Sequence, residues 1–167
     1  FSHYLDDAIH LADLPRTDLA AYAAVVVADA MDSRRIAAHG DQLNAYVRGG
    51  GFLVVFFQGE ADWIDVVDLK WRDHKVHDWL WGTREPRYVE TCQPEPKHPI
   101  CEAIPLSAMS WHWGGVYAPH PQARTILGLE DGSGCLFMEF PNACGGRLMV
   151  ATLDPHSHNG QRFMPAT

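Results

Sequence analysis

No run of lysine or arginine occurs anywhere in this chain. Its 21 acidic residues outnumber 13 basic ones, for a formal net charge of −8. A nucleic-acid partner calls for a basic face, so none is expected. Long apolar runs are also missing. Even a strongly apolar stretch such as Phe52 to Phe57 is far below the ~20 residues a membrane helix needs. Cysteine is scarce, with four residues at positions 92, 101, 135 and 144 and no C-x-x-C pair. That spacing argues against a zinc knuckle or a dithiol redox motif. Free thiols in a reducing cytoplasm are the expectation, with one or two disulfides as the alternative. No G-x-G-x-x-G, P-loop or G-x-S-x-G is present. Dinucleotide binding, nucleotide binding and a serine hydrolase built on Ser110 or Ser157 therefore lack support. Phe1-Ser2-His3-Tyr4 has neither the charged nor the apolar region of a secretory signal, which again points to the cytoplasm. Internal repeats and low-complexity linkers are absent.

What is present suits one folded domain. Apolar residues make up 47% of 167 and charged residues 20%, enough for a core and too apolar for wholesale disorder. One domain over residues 1–167 is expected. Ala24–Ala28 (AVVVA) and Phe52–Phe57 (FLVVFF) read as short strands buried on both faces, as in a parallel sheet. Between them Ile36, Leu43, Tyr46 and Val47 recur at helical spacing, and Gly49-Gly50-Gly51 ends the helix. This is a unit of βαβ size. Trp63, Val66, Val67 and Trp71 have roughly helical spacing too. Ile9–Leu14 reads as a short strand and Leu19–Tyr22 as a turn or brief helix. Residues 87–91 suit a strand, and Pro94, Pro96 and Pro99 make 92–99 a loop. Ala123–Leu129, Cys135–Phe140 and Arg147–Leu153 read as three further strands, the first two able to form a hairpin. An open parallel sheet ordinarily has more upstream material, so a first strand and helix are expected before Phe1.

Two segments carry this pattern further. DLAAYAAVVVADAMD…LNAYVRGGGFLVVFF resembles the strand–helix–glycine-run–strand core of the class I glutamine amidotransferase-like superfamily. Lys97-His98-Pro99-Ile100 is similar to the "HP-I" turn of its trehalose-utilisation (ThuA-like) branch. GGRLMVATLDPHSHNG is similar to that branch's ending. The resemblance implies a flavodoxin-like, doubly wound, mainly parallel sheet with helices on both faces, and a role in carbohydrate metabolism. Active amidotransferases hold a cysteine nucleophile on the sharp turn after the central strand. Here that turn reads Gln58-Gly59-Glu60, with no cysteine in it. A carboxamide is no nucleophile, so glutamine hydrolysis by that route is not expected.

Ligands of such sheets sit beyond the carboxyl ends of the strands. Three segments should meet there: Asp29 and Asp32, then Gln58, Glu60 and Asp62, then Asp154, His156 and His158. Glu60 with His156 or His158 would be the proton-transfer groups of any reaction. Asp29, Asp32 and Asp154 also suit turn and cap roles. Asp154, His156 and His158 alternate along an extended backbone and could face one divalent metal, as in a metal-dependent hydrolase. No cofactor is required otherwise. Trp111-His112-Trp113 and Trp63 pair flat aromatics with a polar group, which suits a sugar face; core packing or an oligomer interface is the competing reading. The expected partner is thus a small polar molecule, a sugar among the candidates. The rival from another class is a structural or homo-oligomerisation module of a larger protein.

Overall fold

The computed structural model describes residues 5–28, 33–73, 91–109 and 113–153. Two 3-10 turns, Leu11–Arg16 and Leu19–Ala21, lead into strand β1 (Val25–Val27). Helices α1 (Ser33–Ala37) and α2 (Gly40–Arg48) connect it to β2 (Phe52–Val55). Short strands β3 (Trp71–Arg72) and β4 (Thr91–Cys92) precede α3 (Ile100–Ala103) and α4 (Leu106–Met109). Then come β5 (Val116–Tyr117), β6 (Arg124–Leu129), β7 (Cys135–Ala143) and β8 (Gly146–Ala151).

All the described strands join one sheet. Parallel pairing is confined to β1–β2 and β2–β8. The pairs β7–β8, β6–β7, β4–β6, β5–β7 and β3–β5 are antiparallel. The α/β class therefore holds, but the sheet is mixed rather than mainly parallel. The reason lies in the turns. Asp131–Gly134 and Cys144–Gly145 are tight, and tight turns join antiparallel neighbours only.

One core lies under α2. There Val27, Leu43, Val47, Leu53, Val55, Leu148 and Val150 pack with Leu14 and Leu19 of the 3-10 turns. The opposite face is covered by α3 and α4, whose Ile100, Leu106 and Met109 pack with Ile126, Leu127, Leu136, Phe137, Met149 and Ala151. Helices thus flank both faces. The second cover does not reach β1, whose Val26 is 46% exposed. Burial of this strand on both faces, expected from its β-branched run, is not found because β1 is the sheet's edge among the described residues.

The helical residues Ile36, Leu43, Tyr46 and Val47 are all buried, although the helix breaks at His39 into two pieces. Its end is sealed by Gly50, which takes φ +97, a conformation that favours glycine. Residues 11–16 form a 3-10 turn instead of a strand, with Pro15 inside it. The segment from Trp63 to Trp71 is not a helix. Trp63 and Val66 reach the core from turns, and Trp71 opens β3. Of the strand expected over 87–91, only Thr91 lies within the described residues, in β4.

Candidate functional site at the carboxyl edge of the parallel strands

Beyond β2 the chain stays extended for two residues. Phe56 N–H donates to Val27 O (3.0 Å) and Phe57 N–H to Leu153 O (3.2 Å). It then turns through Gly59 (φ +66) and Ala61 (φ +54). Gln58 occupies the start of this turn and is only 6% exposed. Its Nε2 donates to Ala28 O beyond β1 (2.7 Å) and to Phe56 O (3.0 Å). Its Oε1 is buried with no hydrogen-bond partner among the described residues. Tyr117 of β5 donates its hydroxyl to Gly59 O at 3.0 Å. Burial, and then the Asp62 charge, push the Tyr117 phenol well above its ordinary range. Glu60 and Asp62 are exposed on the turn.

The far side of the turn is held by a residue that sequence reading passed over. Asn44, 1% exposed on α2, donates to Gly40 O (2.9 Å) and Trp63 O (2.6 Å). It accepts from Asp65 N–H (3.1 Å). The available signal was an asparagine beside Leu43, Tyr46 and Val47 on an amphipathic helix, since a buried amide needs partners.

The segment after α4 meets the same edge. Trp113 bridges to Leu153 and Gly114 N–H donates to Thr152 O (3.0 Å). The two glycines seat aromatic rings. A Cβ on Gly114 would lie 2.6 Å from the Phe57 ring, and one on Gly115 2.4 Å from Trp71. Phe57, Trp71 and Tyr117 form a chain of ring contacts, with centroids 5.9 and 5.3 Å apart. Thr152 is fully buried and its hydroxyl, too, has no partner among the described residues.

The edge therefore brings Gln58 to the end of β1 and next to the end of β8, with Gly114 beside it. Trp63 and Trp113, read as ligand-binding, are 9% and 7% exposed and belong to the two cores. Trp63 packs on Gly40 and α2, and Trp113 is drawn in by its bridge to Leu153, so neither presents an open indole face. The half-buried indole at this edge among the described residues is Trp71, which the sequence placed in a helically spaced set and not among the ligand-binding residues. Asp29, Asp32, Trp111, His112, Asp154, His156 and His158 lie outside the described residues. Among the described residues no group of three or more metal-ligating side chains occurs.

The four sulfurs stand away from the turn and none is bonded to another. Cys92 faces Leu129 O, Cys101 faces Ile126 O, Cys135 lies 3.3 Å from Thr125 Oγ1 and Cys144 faces Val66 O. None is paired with an imidazole among the described residues. Burial pushes the Cys92 and Cys135 thiols up, away from the nucleophilic thiolate form.

A second polar cluster lies at the opposite end of the strands. Glu139 of β7, buried, accepts from His98 Nε2 (2.8 Å) and from Arg147 Nε. The Arg147 guanidinium also sits 4.3 Å from the centre of the Phe52 ring. His98 Nδ1 accepts from Ile100 N–H (3.2 Å), so Nε2 carries the proton toward Glu139. With both ring nitrogens engaged, this imidazole anchors the turn before α3 and is not a free base. The His-Pro turn and the Gly-Arg strand start meet on this one carboxylate.

No known family pattern matches the chain, and no curated protein sequence does. Two of the solved structures that share its fold come from Salmonella. Cytoplasmic Protein STM1381 from Salmonella typhimurium LT2 aligns with a TM-score of 0.61 and 14% identity, over 93% of this chain and 72% of that one. Cytoplasmic Protein STM3548 from Salmonella typhimurium aligns with a TM-score of 0.57 and 15% identity. That match covers 89% of this chain, which spans only 66% of the Salmonella protein's length. Identity this low speaks for the fold alone. Among the described residues no helix is long and apolar enough to cross a membrane.

Proposed function

We propose that this chain is a flavodoxin-like, class I amidotransferase-like domain of the ThuA-like kind that does not hydrolyse glutamine. In this reading it is a cytoplasmic protein that binds a small polar ligand, a carbohydrate or its derivative, at the carboxyl edge of β1, β2 and β8. The observation that carries the reading is Gln58. The turn that would present a nucleophile presents a clamped carboxamide, with its carbonyl unpaired and all four thiols elsewhere. Edges of this kind are where open α/β sheets bind ligands. Where chemistry follows binding, Glu60 is the carboxylate available for proton transfer, with His156 or His158 as its partner.

The test is calorimetric titration of the chain with glucose, trehalose and glucose 6-phosphate. Glu60→Ala should abolish binding while the far-UV circular dichroism stays unchanged, because Glu60 is exposed and supports no packing. Equal affinity in the variant would remove Glu60 and this edge from the account.

A second reading, an assembly module, is favoured by a different observation. Leu5, Ile9 and Val26 are exposed at 45%, 36% and 46%. They line a cavity of ≈ 500 Å³ beside edge strand β1. Exposed apolar patches of this kind mark association surfaces.

A further inference from the structure

We infer that the turn after β2 is a seat of hydrogen-bond acceptors, which takes a non-anionic ligand through an O–H or N–H group donated to Gln58 Oε1. The inference deepens the proposed function and rests on its placement of the site.

A carboxamide offers two N–H hydrogens and one carbonyl. In Gln58 both hydrogens are used, on Ala28 O and Phe56 O. Those bonds also fix which atom is which. Exchanging nitrogen and oxygen would set the carbonyl against two other carbonyl oxygens. Oε1 is thereby the atom of the group left without a bond among the described residues. The residue is only 6% exposed, yet Oε1 has no partner among them. A buried acceptor without a donor is costly, and native proteins supply one from water or ligand.

The carboxylates and the Tyr117 oxygen at this turn offer lone pairs, while Trp63, five residues after Gln58, keeps a buried indole N–H without a partner among the described residues. The Tyr117 hydroxyl has given its hydrogen to Gly59 O, which leaves its oxygen as an acceptor only. Glu60 and Asp62 bring carboxylates to the same turn, and the Asp62 charge reaches Tyr117. Thr152, beyond the adjacent strand, holds a second unpaired buried hydroxyl that can act either way. A phosphate or carboxylate entering here would set lone pairs against lone pairs. A hydroxyl or an ammonium would satisfy Gln58 Oε1 directly. Arg34 and Arg35 of α1 are the cations that follow β1 along the chain, and an anion drawn by them is the result the test must be able to return.

The experiment titrates the full chain at millimolar concentration with four probes: myo-inositol, ethanolamine, inorganic phosphate and acetate. The first two separate hydroxyl from ammonium as the source of the donor. Binding of either, with no binding of phosphate or acetate, is expected. Gln58→Met should weaken that binding by about tenfold or more. Thr152→Val keeps the side-chain shape and leaves the Gln58 clamp intact. It serves if Gln58→Met fails to fold, and a loss of the same sign is expected. Binding of phosphate or acetate that either substitution removes would overturn the donor preference and leave the site standing. Donor binding unchanged in both variants, or no binding by any probe, would overturn the inference and its placement together. Failure of sugars alone, with ethanolamine bound through Gln58, would overturn only the carbohydrate reading.

Discussion

Glu139 shows how much a single side chain can hold in this molecule. Burial alone would push its carboxyl up. The hydrogen bonds from His98 and Arg147, with the Arg147 charge, outweigh burial and hold it below the ordinary carboxylate value. A group whose carboxyl is lowered on folding contributes fully above the ordinary carboxylate range. That contribution is lost as pH falls through the folded-state value. Thermal melts should therefore fall off as pH drops below about 4. Glu139→Gln should remove about 3 kcal/mol at neutral pH, the lower end for breaking a buried pair, since Arg147 is 43% exposed. Its acid limb should also be shallower than the wild type's. Identical melts across that pH range would mean that the cluster adds nothing to stability. Asn44 makes a similar point without charge, since one amide bonds helix and turn at three places.

At the scale of elements, α2 and β8 fit because one position lacks a side chain. A Cβ on Gly146 would lie 2.1 Å from Val47 O and 2.5 Å from Gly51 O, both backbone atoms that cannot swing aside. Gly146→Ala should destabilise by about 3 kcal/mol or more. Gly132, with φ +71 and open space around it, should lose only about 1 kcal/mol as Ala. Urea unfolding of the two variants gives the comparison, and equal losses would refute the close-packing account. Elements of this kind were legible where pattern and packing agree. The valine run, the glycine-ended helix and the three late strands stand where their residues put them. The stretch from Trp63 to Trp71 was not legible. Its apolar residues face the core from turns held by Asn44 and the Arg48–Asp65 ion pair, and spacing alone does not distinguish that from a helix. The turn at Gln58 was legible as a missing thiol. Its unpaired carbonyl was not, because that depends on Ala28 and Phe56 meeting one amide from two strands. Tyr117 and Thr152 gave no pattern at all, since their place at the edge is a matter of strand order.

Over the whole molecule, two cores on opposite faces share one mixed sheet, and the cover is thinnest at β1. A chain of net charge −8 repels its copies, so any association there must rest on Leu5, Ile9 and Val26. Under the assembly reading, light scattering should show dimers or larger species that Val26→Lys disperses without changing the melting temperature. A monomer at every concentration would remove that reading. The order of strands has one more consequence. Strand β2 is flanked by β1 from early in the chain and by β8 from its later part. Neither part owns a finished sheet. Cut between them, the two fragments could recover the fold only by complementation, with the later piece slotting its last strand against the earlier one and closing the layer from the side.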